Sequence, residues 1–505
     1  MAGTTEALVA LTRFGLGPRP GEAAAIAADP RGFVAAQCDR PQAARIDRPL
    51  EPSDVLIPGF VEARRARKMA LATQTALASA KSAVGEMLGM AETPAGNDMQ
   101  AGNDMAGNDM AGGGAMTADA KAAQRQKRRA MREEAPRAAV YAGDALKAEL
   151  DARFDHAVAT DDPLVERLVM FWSNHFAVSI EKGGLVRVLT GAYEREAIRP
   201  HVLGSFRAML EAAVTHPAMQ LYLDNDRSTA PESQMGRLRG IGLNENLARE
   251  ILELHTLGVD GGYTQADVGS LALVLTGWTV DRTGGNGGRA FLSTRHEPGP
   301  VTVLGATYRD AGRDRLGLVL DDLAAHPATA RHVAGKLVRH FVADAPPPGL
   351  VETVAAAFTQ SDGDLAVTTR ALVEADAAWQ PPPAKARSPY EMCIAVERAT
   401  GVSVAGQQAV FAVVRALGQK VWAPPSPAGF PDHDDTWLAG DALLERLDWS
   451  IAFARRAAGR LDVPALGGAL YGDAYDPETA AVVRRAESRE QALALLLMSP
   501  AFQRR

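Results

Sequence analysis

Two histidines sit where helical spacing turns them toward an apolar face. In the stretch 244–257, Leu247, Ala248, Ile251, Leu252 and Leu254 recur at helical intervals, and His255 falls in the middle of their face. His175 repeats the pattern behind Leu164, Leu168, Phe171 and Trp172. An imidazole taken out of water needs a partner for each ring nitrogen. Two inward histidines of one helical body can meet, and a carboxylate such as Glu250 or Asp267 would complete a two-histidine, one-carboxylate site for iron, manganese or zinc. The helical wheel sets a limit: at 100° per residue, Glu250 and His255 lie about 140° apart, too far to share a metal from this helix alone. The alternative is two unrelated core histidines satisfied by neighbouring groups. On this reading the catalytic candidates are His175, Glu250 and His255, and the metal ligands His175, His255 and Asp267.

A different chemistry is written into 327–342. His332, Lys336 and His340 recur every fourth residue, with Arg339 beside them. Such a basic stripe can hold a carboxylate, sulfate or phosphate, or be a solvated helix face. With Asn174 and Trp278, the residues Lys336, Arg339 and His340 are the candidate ligand contacts. His216-Pro217 and His326-Pro327 precede helix starts and read as caps rather than catalysts. No Gly-x-Ser-x-Gly elbow, P-loop or His-Glu-x-x-His motif occurs. Two cysteines, Cys38 and Cys393, exclude a disulfide scaffold and a cysteine-only zinc site.

The elements that must position these residues are helices. Alanine is abundant, and 3.6-residue periodicity fills most of the 505 residues. The pattern predicts a mainly α chain, a single mostly helical domain over 1–505. A helical arm spans 54–157, wrapped around a disordered low-complexity loop at about 92–117. In that loop Ala95-Gly96-Asn97-Asp98-Met99 recurs at 101–105 and 106–110, too polar and Gly-rich to bury a face. The basic run from Lys121 to Arg132 reads as a solvated face or a docking surface for an acidic partner. Asp162-Pro163 starts a helix through Phe176, and Asn244 caps one that Gly258 ends. Thr264 with Asp267, and Ser388 with Glu391, have the spacing of capping boxes. A small β insertion, one hairpin, is expected over 278–305, and helices at 310–325, 327–342, 347–360 and 364–376.

Composition narrows the class. The charge is −7, which argues against a general nucleic-acid binder. No apolar run approaches the ~18 residues of a membrane span. Met1 to Leu16 shows no signal peptide, so a cytoplasmic location is expected, with export alongside a partner as the alternative.

Several long blocks occur in a fixed order: Phe171-Trp172-Ser173-Asn174-His175-Phe176; Gly242 to Glu250, running on into Leu254-His255-Thr256-Leu257-Gly258-Val259; Tyr263 to Val268; Leu275-Thr276-Gly277-Trp278; His326 to Ala330; and Lys336 to Phe341. In these the chain resembles, from about Leu11 to Phe502, a large bacterial family known only as domain of unknown function 1800. The resemblance implies no settled activity. It does imply a sulfatase-like protein as a partner, since relatives are often encoded beside one, and many relatives are exported. The chain departs from that pattern in lacking a signal and in carrying Gly429-Phe430-Pro431 where Gly-Trp-Pro is expected. The leading expectation is a metal-assisted enzyme, hydrolytic or oxidative, with a His/carboxylate site in a helical core. The alternatives are a non-catalytic partner or maturation factor for the sulfatase-like protein, and a polyanion- or carbohydrate-binding protein using the basic stripe.

Overall fold

The structure is a computed structural model that describes residues 2–87, 136–240, 242–380, 384–405 and 410–505. The expected loop at 92–117 and the basic run 121–132 lie outside them. The chain divides into two compact units, Met1–Ile57 with Ala145–Arg505, and Pro58–Asp144. Helix dominates, and among the described residues strand is confined to two short antiparallel hairpins. No helix among those residues is long and apolar enough to cross a membrane.

The unit Pro58–Asp144 is, in its described part, helical at 58–87 and 136–144. The two stretches meet where a Cβ added to Gly59 would lie 2.4 Å from the Tyr141 hydroxyl, so a larger residue there would make the tyrosine ring shift.

In the larger unit, α1 (Pro163–His175) carries proline at its first turn and buries Leu164, Leu168, Phe171, Trp172 and His175, the stripe its spacing predicts. Two charged residues, Glu166 and Arg167, are equally buried on it. Trp172 packs against Phe176 and Phe206 in one part of the core. A second part gathers Phe154, Tyr390, Ile394, Phe453, Leu493 and Leu497 around α4 (Pro389–Thr400).

The predicted helix at 244–257 is built differently. Asn244 Oδ1 accepts from Asn246 N at 2.9 Å, so it starts the turn, but the helix itself is only Asn246–Glu250 (α2). It widens into a π turn over Ile251–His255, and Gly258 follows at φ +84°. The 100° wheel does not hold through a π turn, which moves His255 relative to the apolar stripe. The β region also differs from the single hairpin expected. Trp278–Val280 pairs with Arg289–Phe291, and Val301–Val303 with Ala306–Tyr308. The second hairpin turns through Leu304 at φ 51° and Gly305 at φ 79°. A tight turn with two positive φ values normally announces itself by Asn-Gly; leucine hides it.

α3 (Pro327–Phe341) buries Val333, Ala334, Leu337, Val338 and Phe341, leaving His332, Lys336, Arg339 and His340 along its other edge. His326 caps it, with Nδ1 accepting from Ala328 N at 3.1 Å, and His216 caps Pro217–Tyr222 in the same way.

Candidate functional site

Three imidazoles meet where α1, the π turn and α3 converge. His175 Nε2–H donates to the His255 carbonyl at 3.1 Å, and His332 Nε2–H donates to the Leu254 carbonyl at 3.0 Å. The His175 ring lies 6.2 Å from that of His255 and 6.1 Å from that of His332. Backbone carbonyls only accept, so these bonds fix the tautomers of His175 and His332. The Nδ1 atoms of His175 and His255 are buried with no hydrogen-bond partner. Burial, then the positive charge of Lys336, holds all three rings neutral: His175 well below its ordinary value, His255 down at about 3 and His332 at about 4.

The carboxylate half of the expected metal site is not assembled. Glu250 is half-buried, its carboxyl pushed up by burial and by neighbouring Glu253. Asp267 completes the capping box with Thr264, and its Oδ1 accepts from Leu304 N at 2.7 Å, steadying the strained turn. Among the described residues no group of three or more His, Cys, Asp or Glu could hold a metal ion. Trp278 is occupied elsewhere, edge-on to Phe291 at 5.7 Å and beneath the Arg313 guanidinium.

The other ligand candidates share one place. A cavity of about 170 Å³ is lined by Asn174, His175, Lys336, Arg339, His340 and the segment Phe430–Asp432. Asn174 holds that segment: its Oδ1 accepts from Phe430 N at 2.7 Å, and its Nδ2 donates to Phe430 O at 3.0 Å. Gly429 makes the approach feasible, since a Cβ there would lie 2.4 Å from the Asn174 carbonyl oxygen.

The floor of the cavity is an ionic network that sequence reasoning missed. Asp432 Oδ2 accepts from His340 Nδ1–H at 2.9 Å, and Arg167 Nη2 donates to His340 Nε2 at 3.3 Å. Lys385 lies 3.3 Å and Arg505 3.7 Å from Asp432 Oδ1, while Arg167 and Arg505 both reach Glu391. Burial alone would push the Asp432 carboxyl up, but His340, Arg505 and Lys385 outweigh it and hold it well below the usual range. The partners are scattered from residue 167 to residue 505, so no local spacing announces them. The one signal was the pair of charges Glu166 and Arg167 within a mostly apolar helix.

Above this floor two cations stay uncompensated. Among the described residues, neither Lys336 nor Arg339 has a hydrogen-bond or ion-pair partner, and Arg339 Nε is buried. Burial lowers the Lys336 ammonium to about 8; the Asp432 charge opposes the shift and Arg339 adds to it.

Ser53, Glu196 and His216 meet without forming a serine-based site. Ser53 Oγ lies 3.3 Å and Glu196 Oε2 3.1 Å from His216, but both face Nε2, while Nδ1 accepts a backbone N–H. A base that activates serine needs its carboxylate on the opposite nitrogen.

Among known families, the model described as protein of unknown function, DUF1800, matches residues 9–504. No curated protein and no solved structure matches.

Proposed function

The chain belongs to the DUF1800 family, whose description assigns no activity, and from the chemistry of the site we propose that it binds a small anion through Lys336 and Arg339. The observation that carries this reading is the pair itself. Two cations one turn apart line a cavity, and no carboxylate among the described residues pairs with either. Removing a cation from water without a counter-charge is costly, and an anionic ligand restores what burial takes away. A carboxylate, sulfate or phosphate group fits, since each accepts charge-assisted bonds from an ammonium and a guanidinium together. The nearby Asp432 is already shared among His340, Lys385 and Arg505. The cavity is small and the lysine half-buried, which favours a compact anion over a polymer lying across an open basic face.

A catalytic use of the same pocket has one observation in its favour. A lysine lowered to about 8 carries an appreciable neutral fraction near physiological pH and can serve as base or nucleophile. It would act on the bound anion, with the neutral His175 lining the same wall.

Isothermal titration with inorganic phosphate, sulfate and acetate tests the binding. Saturable one-site binding of at least one anion is expected. Lys336→Met and Arg339→Met should each weaken it by about tenfold or more, as for a lost hydrogen bond to a charged group. No binding of any of the three, or equal binding by both variants, overturns the proposal.

A further inference from the structure

A second cavity adjoins the cationic one. It measures about 110 Å³ and shares Asn174, His340, Phe430, Pro431 and Asp432 with it as walls. Its other walls are of a different kind: the rings of Tyr390, Trp422 and Trp437 stand with Phe430, and Met170 and Val178 add apolar surface.

The rings of Tyr390, Trp422 and Phe430 are fixed in place. Trp422 Nε1 donates to Glu194 Oε2 at 3.1 Å, and the Arg153 guanidinium lies over both Tyr390 and Trp422, at 4.7 and 5.4 Å from the ring centres. Phe430 is held by its paired bonds to Asn174 and lies 6.2 Å from the Trp437 ring. Rigid aromatic walls with few polar groups are the usual make-up of a small-molecule pocket.

The polar inventory decides what kind of body fits. A sugar presents hydroxyls all round its ring and needs several free donors and acceptors. Here most of them are committed already. Ser173 Oγ donates to Glu194, Gln419 Oε1 accepts from Tyr390 N, and Glu391 takes Arg167 and Ser388 N. The Tyr390 hydroxyl is buried without a hydrogen-bond partner, and neither Gln419 Nε2 nor Trp437 Nε1 has one among the described residues. Flat, mostly apolar walls with few free polar points suit an arene. At about 110 Å³ the cavity is of the order of the roughly 150 Å³ apolar cavity that accepts benzene, which limits the ligand to one ring.

Resting on the anion-binding reading above, we infer that the ligand is a one-ring aromatic anion. Its ring stacks in the Tyr390–Trp422–Trp437 cavity, and its carboxylate, sulfate or phosphate group reaches Lys336 and Arg339 past His340 and Asp432, which line both cavities.

The test compares each aryl anion with its inorganic or alkyl parent by calorimetry: phenyl phosphate with phosphate, benzenesulfonate with sulfate, and benzoate with acetate. For at least one pair the aryl form should bind wild type about tenfold or more tightly than its parent. In Trp437→Ala that ratio should fall below about threefold. Trp437 is only half-buried, so its truncation leaves the fold in place, and Tyr390→Phe provides a second variant that removes the unpartnered hydroxyl alone. A parent anion that binds and is lost in Lys336→Met, with no aryl advantage, overturns this inference and leaves the anion reading standing. An aryl advantage that survives both Trp437→Ala and Tyr390→Phe also overturns it. Phenol binding as tightly as phenyl phosphate overturns the anion reading instead.

Discussion

A lysine partly taken out of water and without an ion-pair partner among the described residues titrates where a surface lysine does not. Lys336 is lowered to about 8 because burial disfavours the ammonium and Arg339 repels it, with Asp432 opposing. An anion needs the protonated form, which predominates below pH 8 and is depleted above it. Sulfate keeps its charge across this range, so its binding isolates the lysine. We expect its association constant to fall roughly tenfold between pH 8 and 9.5, following the lost protons. Lys336→Arg, whose charge persists, should flatten the profile. Titrations at half-unit pH steps decide this, and a wild-type profile level to pH 9.5 would remove Lys336 from the site.

At the scale of elements, the site depends on two backbone departures that periodicity does not register. The π turn at Ile251–His255 puts the His255 carbonyl where His175 Nε2–H reaches it. The loop at Gly429 brings Phe430 onto Asn174. Gly429 adopts φ +87°, and a Cβ there would meet the Asn174 carbonyl oxygen at 2.4 Å and Oδ1 at 2.6 Å. Gly429→Ala should therefore destabilise the protein by about 1–3 kcal/mol through backbone strain and loosened hydrogen bonds. It should also weaken anion binding, because Phe430 and Asp432 shift together. Urea denaturation read by tryptophan fluorescence measures the first effect; a loss under about 0.5 kcal/mol would show that the loop yields without strain. The wider consequence is that the aromatic at 430 serves as a wall of both cavities.

Across the larger unit, buried charge ties distant segments together. Glu194 accepts from Arg153, Arg199, Ser173 and Trp422, and Arg199 continues to Glu166 at 2.8 Å. Burial alone would push the Glu194 carboxyl up, but Arg153 and Arg199 hold it at about 2. Glu194→Ala leaves two guanidinium groups without this partner, and a loss of about 3–5 kcal/mol is expected in equilibrium unfolding. A change below 1 kcal/mol would mean that water or Glu166 takes its place. The histidines set a second property. Their folded-state values are depressed, to about 3 for His255 and about 4 for His332 and His340, against about 6.5 when unfolded. The unfolded chain then binds more protons at acid pH. The stability these groups contribute is fully present above about pH 6.5 and is lost as pH falls toward 3–4. The melting temperature should drop between pH 6.5 and 4.5, before carboxylates titrate in bulk, and a flat profile there would show the rings already protonated in the fold.

Much of this protein was settled by the sequence alone, and all of it is local. Helical dominance follows from periodicity. The capping boxes at Thr264–Asp267 and Ser388–Glu391 and the caps at His216 and His326 follow from chemistry within three residues, where no distant contact competes. The stripe His332, Lys336, Arg339 and His340 was equally legible, as was the inward turn of His175 and His255. Only the tertiary structure decided what these residues do. It gave Asp267 to a turn and kept Glu250 beside Glu253, so no metal site forms from them among the described residues. It set Asp432, nearly a hundred residues downstream, against His340, and made a cavity from what reads in sequence as a helix face. The division is physical: a cap or an amphipathic face is determined by neighbours a turn away, whereas a cavity and its charge depend on which remote segments pack together.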